Sequence, residues 1–196
     1  DGDVCATVVQ RDEAGTKIRV ASPVPVVDFL RAHGRMPLPP YIKRSAQPED
    51  RVWYQTCFAD REGAIAAPTA GLHFTPELMA RLRARGVATA AVTLHVGPGT
   101  FKPVVVERIE EHQMGEEWFE VSKQIVDAIL QTKRGGGRVI AVGTTVVRAL
   151  ESAAQLSGGL QAATGESRLF ITPGFDFRVV DGLMTNFHLP RTTLLM

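Results

Sequence analysis

Apolar and polar positions divide this chain into a short β-rich start and a longer part in which strands and helices alternate. Residues 4–9 and 16–21 are β-rich runs on either side of a charged turn, a pattern that predicts a hairpin. The prolines between residues 22 and 25 predict a linker after it. Because an isolated hairpin is marginally stable, we expect residues 1–22 to be the remnant of a small β-domain and residues 23–196 to form the main domain.

Four segments have the spacing or the end signals of helices. In the clearest of them, Thr75 stands at the N-cap, Pro76 occupies the first helical position and Gly86 lies just past the end. The other three helices are predicted over residues 26–32, from Ser122 to the glycine run at 135–137, and over residues 146–155.

Apolar runs between these helices predict strands. Residues 87–96 and 138–142 are nearly continuous apolar runs, as expected for strands buried on both faces. Further strands are predicted near residues 169–172 and 175–184, with residues 158–165 as a loop before them. Since strands and helices alternate, the sequence predicts an α/β fold.

Composition restricts the kinds of partner that this chain can bind. Its 44% hydrophobic and 22% charged residues are typical of a packed globular domain, which excludes disordered and fibrous proteins. The formal net charge is +1, so the chain has no general basic surface for nucleic acid. Any contact with RNA must therefore be local.

Cysteine usage and hydropathy bear on the compartment. Cys5 and Cys57 are far apart and lack a CxxC spacing, so neither a disulfide framework nor a zinc ribbon is expected. No apolar run reaches the roughly 18 residues that a membrane helix needs, and no signal peptide is recognisable. We expect a soluble, monomeric, cytoplasmic protein.

The chain starts without methionine and stops inside an apolar run at Met196, as an excerpt of a longer protein would.

Histidines lie where an α/β fold places its ligands. In open α/β sheets, ligands bind outside the carboxyl ends of the strands. Four of the five histidines follow or flank the apolar runs, namely His73, His95, His112 and His188. Any one of them is more often structural than catalytic, but the set favours proton transfer. Because no metal-ligand spacing is present, no metal site is expected.

Two further segments carry candidate chemistry. His112 follows Glu111 in an acidic run, and carboxylates beside an imidazole suit a proton-transfer site, although most such runs are solvated surface.

Gly143, Thr144 and Thr145 lead from a strand into a helix, where free N–H groups and hydroxyls suit a carboxylate or another anion. The alternative is that one threonine is merely the helix N-cap. The segment lacks the lysine of a phosphate-binding Walker loop, and residues 97–99 do not form a dinucleotide fingerprint.

Several long motifs, in order and with matching spacing over about residues 30–196, resemble the S-adenosylmethionine:tRNA ribosyltransferase-isomerases. The motifs are residues 36–44 (MPLPPYIKR), 54–56 (YQT), 63–74 (GAIAAPTAGLHF), 93–97 (TLHVG), 99–101 (GTF), 142–145 (VGTT) with Arg148 and Glu151, and 185–190 (TNFHLP). The resemblance implies a larger α/β domain with a small inserted β-barrel, of which residues 1–22 would be the last hairpin.

The resemblance also implies a reaction. The ribosyl part of S-adenosylmethionine is transferred to 7-aminomethyl-7-deazaguanine in tRNA, forming epoxyqueuosine and releasing adenine and methionine. S-adenosylmethionine is then a substrate, and no separate cofactor is expected. Such a reaction needs a base for the proton beside the sulfonium, a proton donor for adenine, and polar partners for the sugar.

The residues of this sequence that match the motifs receive roles by hypothesis. His95, His73 and His112 with Glu111 would supply acid–base groups. The remaining matches would bind substrate: Thr144, Thr145 and Arg148 the amino-acid carboxylate, Asn186 and His188 the sugar or base, and Thr69, Tyr41 and Arg44 other parts of the substrates.

One position departs from the family pattern. Where the family often has a second histidine shortly after the glutamate–histidine pair, this sequence has Gly115. Family segments on both sides of the matched region are also absent from the sequence. Two other interpretations therefore stay open: an S-adenosylmethionine-using enzyme with a different acceptor, and a non-catalytic RNA-binding domain.

Overall fold

A computed structural model describes residues 4–12, 15–39, 41–97, 106–108, 111–112, 114–156 and 158–188 of this chain. Both helices and strands occur along this length, as the sequence predicts. The elements are β1 (Cys5–Asp12), β2 (Gly15–Ala21), α1 (Val26–His33), α2 (Asp50–Trp53), a 3-10 helix (Thr69–His73), α3 (Pro76–Ala84), β3 (Thr93–His95), β4 (Glu117–Val121), α4 (Lys123–Arg134), β5 (Ile140–Val142), α5 (Thr144–Leu156), β6 (Ala163–Ser167) and β7 (Gly182–Met184).

The strands form three small sheets. Strands β1 and β2 make the predicted antiparallel hairpin, whose register shifts between Val8 and Gln10. Strands β3, β4 and β6 form an antiparallel sheet in that order. Strands β5 and β7 pair in parallel, with Val142 opposite Met184 at their carboxyl ends. The mixture of helices with parallel and antiparallel strands confirms an α/β fold.

The hydrophobic core lies between α4, α5 and the sheets. Apolar side chains repeat along one face of α4, where Ile125, Val126 and Ile129 are buried. They form one cluster with Phe119 of β4 and with Leu150 of α5, among others. Burial of each large side chain stabilises the fold by about 1.5–3 kcal/mol. None of the helices in the described ranges is long and apolar enough to cross a membrane.

Local signals placed the helices well. Thr75 accepts a hydrogen bond from the backbone N–H of Leu78 at 3.2 Å, which confirms the predicted N-cap of α3. Helix α5 starts at Thr144, two residues before the predicted start. Ser122 has the extended backbone of an N-cap, but its side chain makes no capping hydrogen bond.

Several strand predictions were wrong in position. Of residues 87–96 only 93–95 form a strand, and Val87 is exposed. Strand β6 lies partly in the predicted loop at residues 158–165, and residues 169–181 form no strand. Ile140 in β5 is 48% exposed, so this strand is not buried on both faces. Strand β4 was not predicted. Its buried residues Glu117, Phe119 and Val121 alternate with half-buried ones, but the first of them carries a carboxylate and not the apolar side chain expected at a buried position.

The carboxylate of Glu151 supplies the hydrogen-bond acceptors for the backbone near residue 180, which forms no strand. Glu151 lies on α5 with 0% of its surface exposed. It accepts hydrogen bonds from the backbone N–H groups of Arg178, Val179 and Val180 at 2.9, 3.0 and 2.9 Å. Buried backbone donors need acceptors, and here one side chain supplies them instead of a neighbouring strand. The segment leading into β7 is thereby fixed to α5.

Two more polar side chains on α5 hold the antiparallel sheet. Arg148 forms an ion pair with Glu117 of β4 at 2.7 Å and also donates to the carbonyl oxygens of Leu169, Gly115 and Ser167. Burial raises the pKa of Glu117, although the positive charge of Arg148 acts to lower it. Burial also lowers the pKa of Arg148. One turn further, the hydroxyls of Ser152 and Ser167 are 2.7 Å apart. Helix α5 thus connects β4, β6 and the approach to β7.

Replacing Glu151 by glutamine should lower the free energy of unfolding by about 2–4 kcal/mol, because the amide turns a donor toward the backbone N–H groups and leaves at least one without an acceptor. Urea unfolding followed by circular dichroism measures the change. Glu166→Gln on the exposed face of β6 is the matched control, and we expect it to stay within about 0.5 kcal/mol of the wild type. Equal stability of the two variants would contradict this role of Glu151.

Candidate functional site

Residues 63–73, called the site segment here, contact three separate parts of the fold. At its start, Gly63 lies against His95 at the end of β3. Next, the backbone N–H groups of Ile65 and Ala66 donate to the carbonyl oxygen of Val96 at 2.9 and 3.3 Å. At its far end, the 3-10 helix reaches the carboxyl ends of β5 and β7. One segment therefore joins the end of β3 to the edge where the two parallel strands end.

The imidazole of His95 is held between a glycine and an aromatic ring. Gly63 has φ of +145°, and a Cβ atom there would lie only 2.5 Å from Cε1 of His95. On strand β4, the ring of Trp118 lies 4.6 Å from the imidazole, centroid to centroid. The Nε2 atom of His95 is buried and has no hydrogen-bond partner among the described residues. A buried ring nitrogen without a partner is available to a polar group of a bound molecule.

The glycine turn after β5 presents a helix start to the 3-10 helix. Gly143 adopts φ of +99° and donates its N–H to the carbonyl oxygen of Met184 at 2.8 Å. A Cβ atom on Gly143 would lie 3.8 Å from the Cβ of Ala70, so the two segments approach closely. The following residues, Thr144 and Thr145, begin α5 and are half-buried. Their free N–H groups and hydroxyls suit a carboxylate.

His73 and Asn186 meet at the same edge. Nε2 of His73, the last residue of the 3-10 helix, lies 2.6 Å from Oδ1 of Asn186, which follows β7. Two residues later, Nδ1 of His188 is buried without a partner in the described part of the chain. Burial lowers the pKa of His188, which favours the neutral imidazole. The structure therefore brings His73 and Asn186 together, and His188 follows two residues later.

His112 is placed away from these contacts. Its ring packs against Phe170 with centroids 5.7 Å apart, and no described contact joins His112 or Glu111 to the site segment. The neighbouring residues 109, 110 and 113, together with residues 99–101, 189 and 190 of the family motifs, lie outside the described residues. Gly115, at the position of the missing histidine, accepts a hydrogen bond from Arg148 at 3.1 Å. That backbone contact connects the loop carrying His112 to α5.

The guanidinium of Arg148 donates its hydrogen bonds to other groups of the protein. Its Nε, Nη1 and Nη2 atoms all donate to protein acceptors, and its side chain is only 11% exposed. A guanidinium has five N–H donors, so little capacity is left for a ligand. The structure thus brings Thr144 and Thr145 to the site, and turns Arg148 toward β4 and β6 instead.

The remaining predicted residues lie on and beside the site segment. Thr69 opens the 3-10 helix and is half-buried, whereas Tyr41 is exposed. Arg44 binds both oxygens of Asp50 at 2.7 and 2.6 Å. Hydrogen bonds from Arg44 and from the backbone of Gln47 hold the pKa of Asp50 at about 2. Arg44 therefore fixes the turn before α2.

Sequence reasoning missed Gly63 and Trp118, which hold His95. Gly63 stood in a quoted motif, but a glycine in a loop does not reveal which side chain packs on it. Trp118 sits on the strand that was not predicted. No cluster of three or more histidine, cysteine or acidic side chains suited to a metal ion occurs in the described ranges.

Gly63→Ala should destabilise the fold by at least about 1 kcal/mol more than Gly86→Ala. Both glycines have positive φ, at +145° and +76°, so both variants strain the backbone. Only at Gly63 does the new methyl group also meet His95, since a Cβ at Gly86 has no atom within 4 Å. Urea unfolding gives the difference, and the NMR resonance of the His95 Cε1 proton should shift in Gly63→Ala alone. Equal destabilisation with an unmoved resonance would argue against this packing.

Comparisons with known proteins agree on one family. The family model described as "Queuosine biosynthesis protein" matches residues 4–196. A S-adenosylmethionine:tRNA ribosyltransferase-isomerase of Cupriavidus pinatubonensis is 56% identical over 174 residues, which are 89% of this chain and 50% of that protein. A protein of the same name from Pelobacter propionicus is 53% identical over all 196 residues and 57% of its own length.

A solved structure is also similar. The crystal structure of the S-adenosylmethionine tRNA ribosyltransferase from Thermotoga maritima matches all of this chain and 51% of its own, with a TM-score of 0.51 and 34% sequence identity. The chain thus spans about half the length of the curated relatives and of the solved structure that it matches.

Proposed function

Since this chain belongs to the queuosine biosynthesis family, we propose that it carries out the ribosyl transfer that its relatives are named for. The ribosyl part of S-adenosylmethionine is transferred to 7-aminomethyl-7-deazaguanine in tRNA and isomerised to epoxyqueuosine, while adenine and methionine leave. S-adenosylmethionine and tRNA are the substrates, no other cofactor takes part, and the protein acts as a monomer in the cytoplasm.

The observation that carries this proposal is a set of buried polar atoms without partners in the described part of the chain, of which Nε2 of His95 lies against the site segment. Nε2 of His95, Nδ1 of His188 and the hydroxyl of Tyr54 are the buried side-chain atoms without a partner among the described residues. His95 contacts Gly63, and His188 follows Asn186, the partner of His73. Buried polar atoms without partners are costly, which supports a polar ligand at this place.

Each step of the proposed reaction has a group of matching chemistry. His95 and His73 serve as acid–base groups that remove the proton beside the sulfonium and deliver a proton to the departing adenine. The N-terminus of α5, with Thr144 and Thr145, holds the amino-acid carboxylate. Asn186 and the neutral His188 bind the sugar or the base.

Six residues receive revised or secondary roles in the proposal. Arg148 is a positioning residue, because its N–H groups already hold β4, β6 and Gly115. His112 with Glu111 is a second acid–base pair that acts from the side of the acceptor nucleotide. Thr69, Tyr41 and Arg44 border the substrate, Arg44 through the turn that it fixes on Asp50.

The domain assignment is part of the proposal. The β1–β2 hairpin has many exposed apolar side chains, including Val8, Val9 and Ile18. A two-stranded hairpin does not bury such side chains by itself. We therefore assign residues 1–22 to a small inserted β-barrel and residues 23–196 to the α/β catalytic domain.

Mass spectrometry of tRNA tests the function directly. The protein is incubated with S-adenosylmethionine and a tRNA that carries 7-aminomethyl-7-deazaguanine, and the nucleosides and free adenine are measured. Epoxyqueuosine with adenine release is the expected result. Adenine release without a modified tRNA would indicate a different acceptor, and tRNA binding without adenine release would indicate an RNA-binding module.

His95→Ala should lower kcat/KM by about 10²- to 10⁴-fold, the usual range for the loss of a general acid or base. His33→Ala is the matched control, because His33 is exposed at the end of α1, where its ring contacts Phe29. We expect it to retain the wild-type rate. Adenine release from S-adenosylmethionine in the presence of substrate tRNA gives both values, and an undiminished rate in His95→Ala would remove His95 from the mechanism.

A further inference from the structure

An ion pair joins the loop just before the site segment to strand β4. Arg61 stands two residues before Gly63, and its Nη1 atom lies 2.6 Å from Oε2 of Glu120. The two side chains are 55% and 29% exposed. Because exposed ion pairs contribute little to the stability of a fold, this pair is of interest for what it holds in place.

Strand β4 contacts His95 with the same face that binds Arg61. Side chains two residues apart along a strand point to the same face. In the register with β3, Trp118 lies opposite His95 and Glu120 lies opposite Thr93. One face of β4 therefore supplies both the aromatic ring that contacts His95 and the carboxylate that binds Arg61.

The backbone at Gly63 is anchored on both sides. After Gly63, the N–H groups of Ile65 and Ala66 donate to the carbonyl oxygen of Val96, the residue that follows His95. Before Gly63, the anchor is the ion pair of Arg61 with β4. Between the two anchors the chain reaches the imidazole of His95. Loss of the first anchor frees the chain before Gly63 to move away from the ring.

A second ion pair in this loop leads away from the site. Glu62 accepts hydrogen bonds from Nη2 of Arg31 on α1, at 3.0 and 2.9 Å. Helix α1 lies wholly within the described ranges, and none of its eight residues is buried. Packing of an apolar face is what fixes a short helix, so α1 is a weak anchor. Of these two ion pairs, only that of Arg61 ties the loop to the sheet that carries His95.

We propose that Arg61 is a positioning residue for His95. Its ion pair with Glu120 holds Gly63 against the imidazole and thereby fixes the orientation of the ring. Small displacements of a reacting group lower its rate, so the pair affects turnover more than stability. The effect on turnover rests on the proposed function, in which His95 is an acid–base group, whereas the placement of the ring does not.

Replacing Arg61 by glutamine removes the charge and keeps a polar side chain. The NMR resonance of the His95 Cε1 proton should shift, because Gly63 and the ring of Trp118 both lie against the imidazole. The kcat for adenine release should fall by about 2- to 5-fold with KM little changed, as the loss of one exposed ion pair allows. Arg61→Glu brings two carboxylates together and should change both quantities further in the same direction.

Reversal of the charges separates the ion pair from other effects of Arg61. Arg61→Glu combined with Glu120→Arg restores the attraction, and should return the resonance and kcat toward their wild-type values. Arg31→Gln is the matched control, because it removes the neighbouring ion pair with Glu62. We expect it to leave both quantities unchanged. Thermal unfolding checks that each variant is folded, and Arg61→Gln and Arg31→Gln should have similar Tm values.

The two readouts decide the proposal separately from the proposed function. An unmoved His95 resonance in both single Arg61 variants would overturn it, and so would an equal shift in Arg31→Gln or a reversed pair that restores neither quantity. A moved resonance with an unchanged kcat would also contradict it, since the orientation of the ring would then not limit turnover. If the wild type releases no adenine, the proposed function fails, and the resonances alone decide whether Arg61 positions the ring.

Discussion

The three hydrogen bonds that the buried carboxylate of Glu151 accepts from residues 178–180 are the interaction on which the rest of this structure depends. They tie a segment without strand pairing to the middle of α5. That segment leads into β7, which pairs in parallel with β5. Asn186 and His188 follow β7, so their position relative to the start of α5 is set by one carboxylate and one short pair of strands. A carboxylate buried without these donors would be strongly destabilising.

The same helix organises the other half of the fold through different chemistry. Arg148 and Ser152 hold β4 and β6, and β4 carries Trp118 against His95. The groups proposed for proton transfer and for carboxylate binding are therefore linked to one element, whose first turn is itself part of the site. The site segment closes the arrangement, because it contacts His95 at one end and Asn186 at the other.

Sequence predicted those features that are encoded locally. The cap of α3 and the hairpin follow from short-range signals. The extent of β3, the position of β6 and the packing of Gly63 on His95 depend on contacts between distant residues. The apolar residues near 180 were predicted to form a strand. In the structure, the backbone N–H groups of Val179 and Val180 donate to the side chain of Glu151 on α5 and not to a neighbouring strand.

Amide hydrogen exchange measured by NMR tests the central role of Glu151 most directly. Each of the three backbone N–H groups that bond Glu151 is identified by its residue, Arg178, Val179 or Val180. The account predicts that all three exchange as slowly as amides in the buried part of α5, such as that of Ala153, because they open only when the α5 contact breaks. Exchange as fast as that of the exposed Gly159 would contradict it.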